Sequence, residues 1–195
     1  MSTKKVLFFA NTDWHFYAHL MPIALEAQER GYEAILATNI SNFEEKIAAQ
    51  GIRIVPIRIR RSTINPFGEL ALLSKIIRIL REEKPHILHN FTMKPILYGS
   101  IGGALCNVPK IINNFLGMGL LFMSRNIFIK LIKYIVVKKI LLVNKYRVMT
   151  FVVQNSDDKK LLTDLKITKS TNIISQCSVG IESEKFPLLD EVREP

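Results

Sequence analysis

The feature that most constrains the fold is the alternation of short apolar runs with segments of helical period. The runs are continuous and rich in Val and Ile, as in strands that helices cover on both faces. Strand patterns are "KVLFFAN" (5–11), "EAILAT" (33–38), "IRIVPI" (52–57), "HILHN" (86–90), "KIINNF" (110–115), "VMTFVVQ" (148–154) and "NIISQ" (172–176). Helical patterns lie at about 20–30, 42–50, 67–83, 95–106, 124–145 and 156–165. The alternation predicts βαβ units and a doubly wound parallel sheet of the Rossmann-like α/β class.

Helix-ending residues and apolar content agree with this fold class. Gly31 and Gly51 each follow a helical pattern and precede a strand, as helix-ending glycines do. A chain of 195 residues, 48% of them hydrophobic, can bury a sizeable core. Lysines precede the apolar run at Val6, as in a signal peptide, but that run reaches Asn11 too soon for one. Since no uncharged apolar stretch approaches about 18 residues, we expect no transmembrane helix.

Charge is unevenly placed along the chain. Between Lys84 and Ser156 there is no Asp or Glu, whereas the same segment holds ten Lys and Arg residues. The totals are 27 basic and 17 acidic residues, so the remainder carries 17 of each and this segment accounts for the net charge of +10. Such a block attracts an anionic lipid, a nucleic acid or a phosphorylated ligand.

Ligands of open parallel sheets bind beyond the carboxyl ends of the strands. The corresponding predicted loops are 11–19, 58–66, 91–95 and 116–123. The first of them has no G-x-G-x-x-G, so we expect no dinucleotide pyrophosphate there. His19 lies at a predicted helix N-terminus and is a candidate to bind an anionic group or to carry a proton. His15 is interpreted as a helix-entry histidine bonded to a nearby carbonyl.

The stretch "HNFTMKPILYGS" (89–100) places a hydroxyl, an ammonium and a proline where a strand meets a helix. Thr92, Lys94 and the helix N-terminal amides are candidates to bind a phosphate or sugar hydroxyls. A capping threonine beside a solvated lysine explains the same residues equally well. In "LGMGLLF", Gly117 and Gly119 allow the backbone to approach a ligand closely.

Metal binding and hydrolase chemistry find no support in the residue spacing. Cys106 and Cys177 suggest neither a metal site nor a disulfide framework, and they suit a reducing cytosol. His86 and His89 lie three apart on a predicted strand, where they face opposite sides. We therefore predict no protein-bound metal, and no G-x-S-x-G indicates a Ser-His-Asp hydrolase.

The segment 124–145 combines bulky apolar residues with basic ones. A helix of this kind can lie in the headgroup region of an anionic membrane. The alternative is a core-packed helix with a basic outer face. The residues predicted to contact a membrane are Arg125, Lys130, Lys133, Lys138 and Lys139.

Taken in order, these loops resemble the amino-terminal half of group 1 (family 4) glycosyltransferases of the GT-B fold. The resemblance is greatest to bacterial transferases that act on lipid-linked acceptors in capsule, O-antigen or glycan assembly. The most specific match is "HNFTMKPILYGSIGGALCNVPKIINN", which is similar to the family pattern H-x-F-T-x-K-P-x-x-Y-G. "FVVQNSDDKKLL" resembles F-Q-N-x-D-D, and "VGIESEKF" resembles the G-V-D-x-x-x-F that precedes the second domain. Leu20 stands where the family usually has arginine, and Leu120 where it has tyrosine.

The resemblance implies a domain organisation and a function. Residues 1–180 would be the acceptor-binding domain and 181–195 the start of an interdomain linker, with the donor-binding domain absent from this chain. The complete enzyme would be a retaining, hexosyltransferase-type enzyme that moves a glycosyl residue from a nucleotide-sugar to a lipid-linked saccharide. The chain would hold no cofactor and be nearly inactive alone, and its catalytic residues are not identified. The residues expected to bind the acceptor or its phosphate are His19, Thr92, Lys94, Gly117 and Gly119.

The implied partners are a polyprenyl diphosphate saccharide, an anionic membrane surface and a donor-binding domain in cis or in a partner subunit. The implied location is cytoplasmic, peripheral on the inner face of the membrane. A second hypothesis is a stand-alone membrane-binding subunit that recruits a separate catalytic polypeptide. Nucleic-acid binding rests on charge alone, because the sequence offers no aromatic stacking platform or helix-turn-helix pattern.

Overall fold

The computed structural model describes residues 3–59, 66–115, 149–164 and 172–175. These residues form seven strands and six helices. The strands are β1 (Lys4–Thr12), β2 (Tyr32–Asn39), β3 (Arg53–Pro56), β4 (Ile87–Phe91), β5 (Lys110–Phe115), β6 (Thr150–Val153) and β7 (Ile173–Ser175). The helices are α1 (Asp13–His19), α2 (Met21–Glu29), α3 (Glu44–Ala48), α4 (Pro66–Glu83), α5 (Met93–Leu105) and α6 (Ser156–Asp164).

The strands pair in one parallel sheet in the order β3-β2-β1-β4-β5-β6-β7. The chain therefore winds outward from β1 in one direction and then from β4 in the other, which confirms the predicted doubly wound Rossmann-like class. The strand order reverses between β1 and β4. At this switch point, the crevice beyond the carboxyl ends of the two strands is the usual ligand site of such sheets.

Side chains alternate between two apolar layers, one on each face of the sheet. Leu7 and Phe9 of β1 pack with α4, α5 and α6, whereas Val6 and Phe8 pack with α1, α2 and α3. Both layers are fully buried at β1, which explains why the sequence of this strand is continuously apolar. Gly31 and Gly51 have φ of 81° and 75° and end α2 and α3 in the left-handed conformation, as predicted.

One predicted element differs from the structure. Residues 13–19, predicted to be a loop, form α1, and the helix predicted over 20–30 begins only at Met21. Phe16 and Leu20 are spaced one helical turn apart and are both fully buried, which stabilises the helical conformation. Pro22 has no N–H with which to continue α1, so the chain breaks at Leu20 and starts a second helix.

Two further expectations concern membrane spans and domain boundaries. Within the described ranges, no helix is long and apolar enough to cross a membrane. The predicted boundary at residue 180 and the helical pattern at 124–145 lie outside the described residues.

Candidate functional site

The carboxyl edge of the sheet holds polar residues at three neighbouring strand ends. Asn11 and Thr12 end β1, Thr92 directly follows β4, and Asn114 lies near the end of β5. Phe91 of β4 is in register with Asn114 of β5, and the Thr92 N–H donates to the Asn114 carbonyl at 3.3 Å. The fold thus brings these residues to the switch point, which is where ligands of such sheets bind.

Unpartnered polar atoms concentrate at this edge. A buried polar atom without a hydrogen bond costs about 1–3 kcal/mol, so each such atom needs a physical explanation. In the described part of the chain, seven buried side-chain N or O atoms have no hydrogen-bond partner. They are Asn11 Oδ1, Thr12 Oγ1, Glu69 Oε2, His89 Nε2, Asn90 Oδ1, Thr92 Oγ1 and Asn114 Oδ1. Asn11, Thr12, Thr92 and Asn114 lie at or directly after the ends of β1, β4 and β5, whereas His89 and Asn90 lie within β4. The first four mark this edge as the candidate site.

Thr92 is the most unusual residue of the site. Its φ of 70° and ψ of 167° lie in a backbone region that is essentially restricted to glycine. A β-branched residue there stores about 1–3 kcal/mol of strain. The strained conformation turns the chain from β4 into α5 within a single residue, so the predicted loop 91–95 shrinks to Thr92 alone.

Lys94 lies in the first turn of α5 and is held by a carboxylate. Its Nζ is 2.5 Å from Glu69 Oε1 of α4, and both side chains are largely buried. Tyr98, one turn further along α5, also neighbours Glu69. Burial and then the Glu69 carboxylate raise the pKa of the Tyr98 hydroxyl. The sequence predicted Lys94 as an anion contact but did not predict that Glu69 neutralises it.

A buried amide network lies beneath the site on the α5 side of the sheet. Asn90 Nδ2 donates to Asn113 Oδ1 at 2.9 Å, and Asn113 Nδ2 donates to Ser100 Oγ at 3.0 Å. Gly99 is required here, because a Cβ on it would lie 2.0 Å from Asn90 Oδ1. The network fixes α5 on β4 and β5, and thereby fixes Thr92 between them.

His89 lies on the opposite face of the same strand. Its ring stacks on Phe91 at 4.1 Å between centroids and is 5.9 Å from the Phe8 ring. Burial, and after it the positive charge of Lys110, lower the pKa of His89 to about 3. His89 is therefore a neutral core residue near neutral pH.

Asp13 is a buried residue that the sequence analysis did not single out. Its carboxylate accepts hydrogen bonds from the Trp14 N–H at 2.7 Å, from the Ser41 N–H at 2.7 Å and hydroxyl, and from the Phe43 N–H at 3.1 Å. Burial alone would raise the pKa of Asp13, but the hydrogen bonds from Ser41, Phe43 and Trp14 outweigh burial and lower it. Asp13 thus ties the start of α1 to the segment before α3.

His19 is placed differently from the expectation. It is the last residue of α1 and directly precedes Leu20, the N-cap of α2, so the dipoles of the two helices act on it in opposite senses. Its exposed ring lies 5.1 Å from His15 and 6.0 Å from Trp14, which is itself 45% exposed. Anion binding by His19 stays a prediction, because the residue lies between the C-terminus of α1 and the N-terminus of α2.

Several predicted residues lie outside the described part of the chain. They are Gly117, Gly119, Arg125, Lys130, Lys133, Lys138 and Lys139. Among the residues that the structure does describe, no group of three or more His, Cys, Asp or Glu side chains is placed to hold a metal ion.

A surface cleft of about 510 Å³ lies at the opposite, amino edge of the sheet. Its polar lining includes Arg81, Lys84, His86 and Asn107. In the described ranges, none of the buried unpartnered atoms belongs to a residue of this lining. We therefore place the candidate site at the carboxyl edge rather than in this cleft.

Fold and site together define an amino-terminal domain of the GT-B type. Residues 5–155 match the family described as glycosyl transferase 4-like. The chain belongs to this family, which confirms the resemblance found in its motifs. No curated protein matches the sequence.

Solved structures show the same fold. The chain is similar to Anabaena Alr3699/HepE in complex with UDP and glucose, with a TM-score of 0.62 and 10% identity over 91% of this chain and 45% of that one. It is similar to Acinetobacter baumannii MurG, with a TM-score of 0.56 and 14% identity over 95% of this chain and 48% of that one. It is also similar to a putative UDP-N-acetylglucosamine 2-epimerase from Listeria monocytogenes, with a TM-score of 0.64 and 13% identity over 100% of this chain and 50% of that one. The chain thus spans about half the length of these proteins, and the likeness shows the fold alone.

Most of the missed site residues carry only a weak sequence signal. Asn11 and Thr12 follow the first apolar run directly, so their position at a strand end could have been noted. Asn114 lies within a strand pattern, and only the pairing of β5 with β4 brings it to Thr92. Glu69 and Asp13 act through partners that are distant in sequence, which spacing alone does not identify.

Proposed function

We propose that the chain is the acceptor-binding half of a glycosyltransferase that moves a glycosyl residue from a nucleotide-sugar to a lipid-linked saccharide. Membership of the glycosyl transferase 4-like family supports the reaction class. The observation that carries the proposal is the set of unpartnered polar atoms around Thr92, at the switch point where this fold binds ligands.

The turn from β1 into α1 supports the proposal that the nucleotide-sugar donor does not bind to this domain. In dinucleotide-binding sheets, the N–H groups of this turn hold a pyrophosphate at the helix N-terminus. Here the buried Asp13 carboxylate takes up the Trp14 N–H and places a negative charge in the first turn of α1. A pyrophosphate at this turn would be repelled. We infer that the nucleotide-sugar binds a second domain, in cis or in a partner subunit, and that this chain is nearly inactive alone.

The charge of the chain supports an anionic, membrane-bound acceptor. From Lys84 to Ser156 the sequence holds ten basic and no acidic residues, and a segment of this charge attracts diphosphate groups and anionic lipid. We propose a peripheral position on the cytoplasmic face of the membrane and a polyprenyl diphosphate saccharide as acceptor. Closing the second domain over this one would orient the reactants and exclude water. Retention of the anomeric configuration is part of the proposal and rests on the family.

Binding to the isolated chain tests the proposal. A short-chain polyprenyl diphosphate monosaccharide and a panel of UDP-sugars would be titrated against it by calorimetry. We expect the lipid-linked saccharide to bind, the UDP-sugars not to bind, and the mixture to give no transfer. Binding of UDP-sugars without binding of the lipid-linked saccharide would contradict the proposal. Binding to anionic liposomes that does not depend on the saccharide would instead favour a membrane-binding subunit.

A further inference from the structure

The cleft at the amino edge of the sheet lies between the ends of two helices. One wall comes from the end of α4 and the segment before β4, and the other from the segment between α5 and β5. Its volume of about 510 Å³ falls within the range of ~300–1,000 Å³ that is usual for small-molecule sites. The length of β4, about 16 Å for its five residues, separates this amino-edge cleft from the carboxyl edge. A ligand in the cleft would thus bind apart from the acceptor.

Basic residues line the amino-edge cleft and, unlike their neighbours at the same edge, have no acidic partner. Lys5 and Arg53 are ion-paired with Glu83 at 3.1 and 2.5 Å. Within the described residues, Arg81 and Lys84 form no ion pair. Of the residues that the structure describes, no acidic one lines the cleft. Two positive charges therefore face the cleft without a countercharge.

His86 supplies a third donor, and the sheet fixes its orientation. Its Nδ1 accepts the Lys5 N–H at 3.2 Å, so the neutral ring carries its proton on Nε2. The His86 backbone is held on both sides, because its N–H donates to the Lys5 carbonyl at 2.9 Å and its carbonyl accepts the Lys110 N–H at 3.2 Å. The Nε2–H donor therefore lies on the edge of the ring that faces away from β1.

The two positive charges are not needed to end the helices. The Leu80 carbonyl accepts the Lys84 N–H at 3.0 Å and the Gly103 carbonyl accepts the Val108 N–H at 2.9 Å, so backbone groups cap α4 and α5. The dipole of each helix places about −0.5 of an elementary charge at its C-terminus. Two full cations beside two such helix ends leave a net charge of about +1. The amino-edge cleft is thus suited to an anion.

A phosphate fits these donors better than a carboxylate does. A carboxylate has two oxygens and one charge, which the planar fork of a single arginine can satisfy. A phosphate ester carries close to two negative charges and three acceptor oxygens, which match a guanidinium, an ammonium and an imidazole N–H. The Arg81 guanidinium interacts with the Cys106 thiol, so it reaches from α4 across to α5. Leu80, Pro85 and Val108 are buried in the walls and offer apolar contact to an organic group.

We propose that the amino-edge cleft is a second ligand site, which binds a phosphate ester through Arg81, Lys84 and His86. The two cations supply the charge, the His86 Nε2–H orients the phosphate, and the apolar walls hold the organic group. The phosphate can belong to a soluble metabolite or to a lipid headgroup, because both present the same chemistry. The inference does not rest on the proposed function, since the cleft shares no residue with the carboxyl edge.

Nuclear magnetic resonance of the ¹⁵N-labelled whole chain tests the proposal. Phenyl phosphate, inorganic phosphate and benzoate would be titrated separately to millimolar concentration at equal ionic strength. We expect phenyl phosphate to shift the amide signals of Lys84, His86 and Asn107, and inorganic phosphate to shift them at higher concentration because it lacks an apolar group. Benzoate should leave them unchanged. The Thr92 and Asn114 signals at the carboxyl edge should not move with any of the three.

Substitutions at exposed positions separate a specific site from general attraction by a basic protein. Arg81→Gln and Lys84→Gln should each weaken phenyl phosphate binding about tenfold, the loss of one charge-assisted hydrogen bond. Lys84→Arg keeps the charge and should retain most of the affinity. Arg78→Gln removes the same charge about one turn earlier in α4, outside the cleft, and should leave binding unchanged. All three residues are exposed, so the substitutions leave the core intact.

Vesicles distinguish the two sources of phosphate. The chain and its variants would be sedimented with vesicles of phosphatidylcholine, with and without a minor share of phosphatidic acid, which presents a phosphate monoester on a membrane. Binding to phosphatidic acid that Arg81→Gln and Lys84→Gln weaken, and Arg78→Gln does not, would assign the cleft to a lipid headgroup. Vesicle binding that is equal in all three variants, together with the phenyl phosphate shifts, would assign it to a soluble phosphate ester.

Three results would overturn the proposal. The first is that phenyl phosphate shifts none of the three amide signals of the cleft. The second is that benzoate binds as tightly as phenyl phosphate, which would exclude selectivity for phosphate. The third is that Arg78→Gln weakens binding as much as Arg81→Gln and Lys84→Gln do, which would leave only attraction by net charge. None of these results bears on the proposed function, which the titration with a lipid-linked saccharide tests on its own.

Discussion

The two edges of the sheet are both polar, yet they use polar residues in opposite ways. At the amino edge, Glu83 at the end of α4 accepts hydrogen bonds from Arg53 at 2.9 and 2.5 Å and from Lys5 at 3.1 Å. Arg53 also donates to Glu33 at 3.0 Å. These pairs connect the starts of β1, β2 and β3 to α4. Within the described residues, no buried unpartnered side-chain atom lies at this edge.

The carboxyl edge shows the reverse pattern. Its strand ends carry four unpartnered atoms, of Asn11, Thr12, Thr92 and Asn114, and its turn into α5 holds Thr92 in a strained conformation. Lys84 and Asn107 at the amino edge also have positive φ, of 48° and 55°, but they lie one and two residues beyond the ends of α4 and α5, where the left-handed conformation is common. The difference indicates that the ion-paired residues of the amino edge stabilise the fold, whereas the polar residues of the carboxyl edge are held at a cost in stability, which agrees with the ligand site that we propose there.

The largest expected effect comes from Asp13, the exception at the carboxyl edge, because its carboxylate is fully partnered. Asp13→Asn would place an amide N–H₂ against N–H donors and should lower the free energy of unfolding by about 3 kcal/mol. Urea denaturation at neutral pH measures this, and Asp157→Asn, in the exposed first turn of α6, is the matched control. Since the folded pKa of Asp13 is lowered, its contribution is present above about pH 4 and is lost as pH falls further. Equal losses of stability in the two variants would contradict the conclusion that the buried Asp13 carboxylate holds the start of α1 to the segment before α3.

Because of His89, the free energy of unfolding should fall with acidification at pH values well above those at which carboxylates titrate. The folded pKa of about 3 lies below the unfolded value near 6.5, so between these pH values only the unfolded state binds the proton. Stability should therefore fall by about 1.4 kcal/mol per pH unit below pH 6.5, or about 2 kcal/mol between pH 7 and 5. His89→Phe, which suits the ring stack, should flatten this slope, and His19→Gln on exposed α1 should not. If His89→Phe leaves the slope of stability against pH unchanged, another titratable group causes that slope.

A smaller loss of stability is expected from a substitution at the amino edge. Glu83→Gln removes the charge that holds Arg53 and Lys5 and should lower the free energy of unfolding by roughly 1.5 kcal/mol, since Arg53 is partly exposed. Glu82→Gln, one residue earlier on the exposed side of α4, is the control and should change stability by less than about 0.5 kcal/mol. High salt should reduce the difference between the two variants. A difference that grows with salt would argue against an ion-pair network.

The smallest effect should have the opposite sign. Thr92→Gly relieves strain of about 1–3 kcal/mol, and the greater entropy of glycine in the unfolded chain returns about 0.5–1 kcal/mol of it. The variant should therefore be more stable than the original chain by about 1 kcal/mol, and it should bind the lipid-linked saccharide less well. Thermal and urea denaturation measure the gain. A destabilised Thr92→Gly would mean that the threonine is not strained.

Much of the fold could be predicted because the strands are short, apolar and β-branched. The predicted strands agree with the observed bounds to within about two residues, and β5 agrees at both ends. Helix α1 was missed because its polar and aromatic residues do not show a helical period, and it is stabilised by the burial of Phe16 and Leu20. The position of Thr92 followed from a motif. The strain of Thr92 and the neutralisation of Lys94 could not be predicted, because they depend on contacts with β5 and α4, which are distant in sequence.

The measurement that most directly tests the account compares Thr92→Val with Thr163→Val by urea denaturation of the whole chain. Thr163 lies on the exposed face of α6, where its hydroxyl donates to the Lys159 carbonyl. Valine keeps the shape of threonine and removes the hydroxyl, so it isolates the unpartnered Thr92 Oγ1. If that atom is kept for a ligand, Thr92→Val should raise the free energy of unfolding by about 1 kcal/mol, while Thr163→Val should change it little or lower it. A Thr92→Val variant that is less stable than the original chain would show that the hydroxyl already serves the fold, and would contradict a carboxyl edge reserved for a ligand.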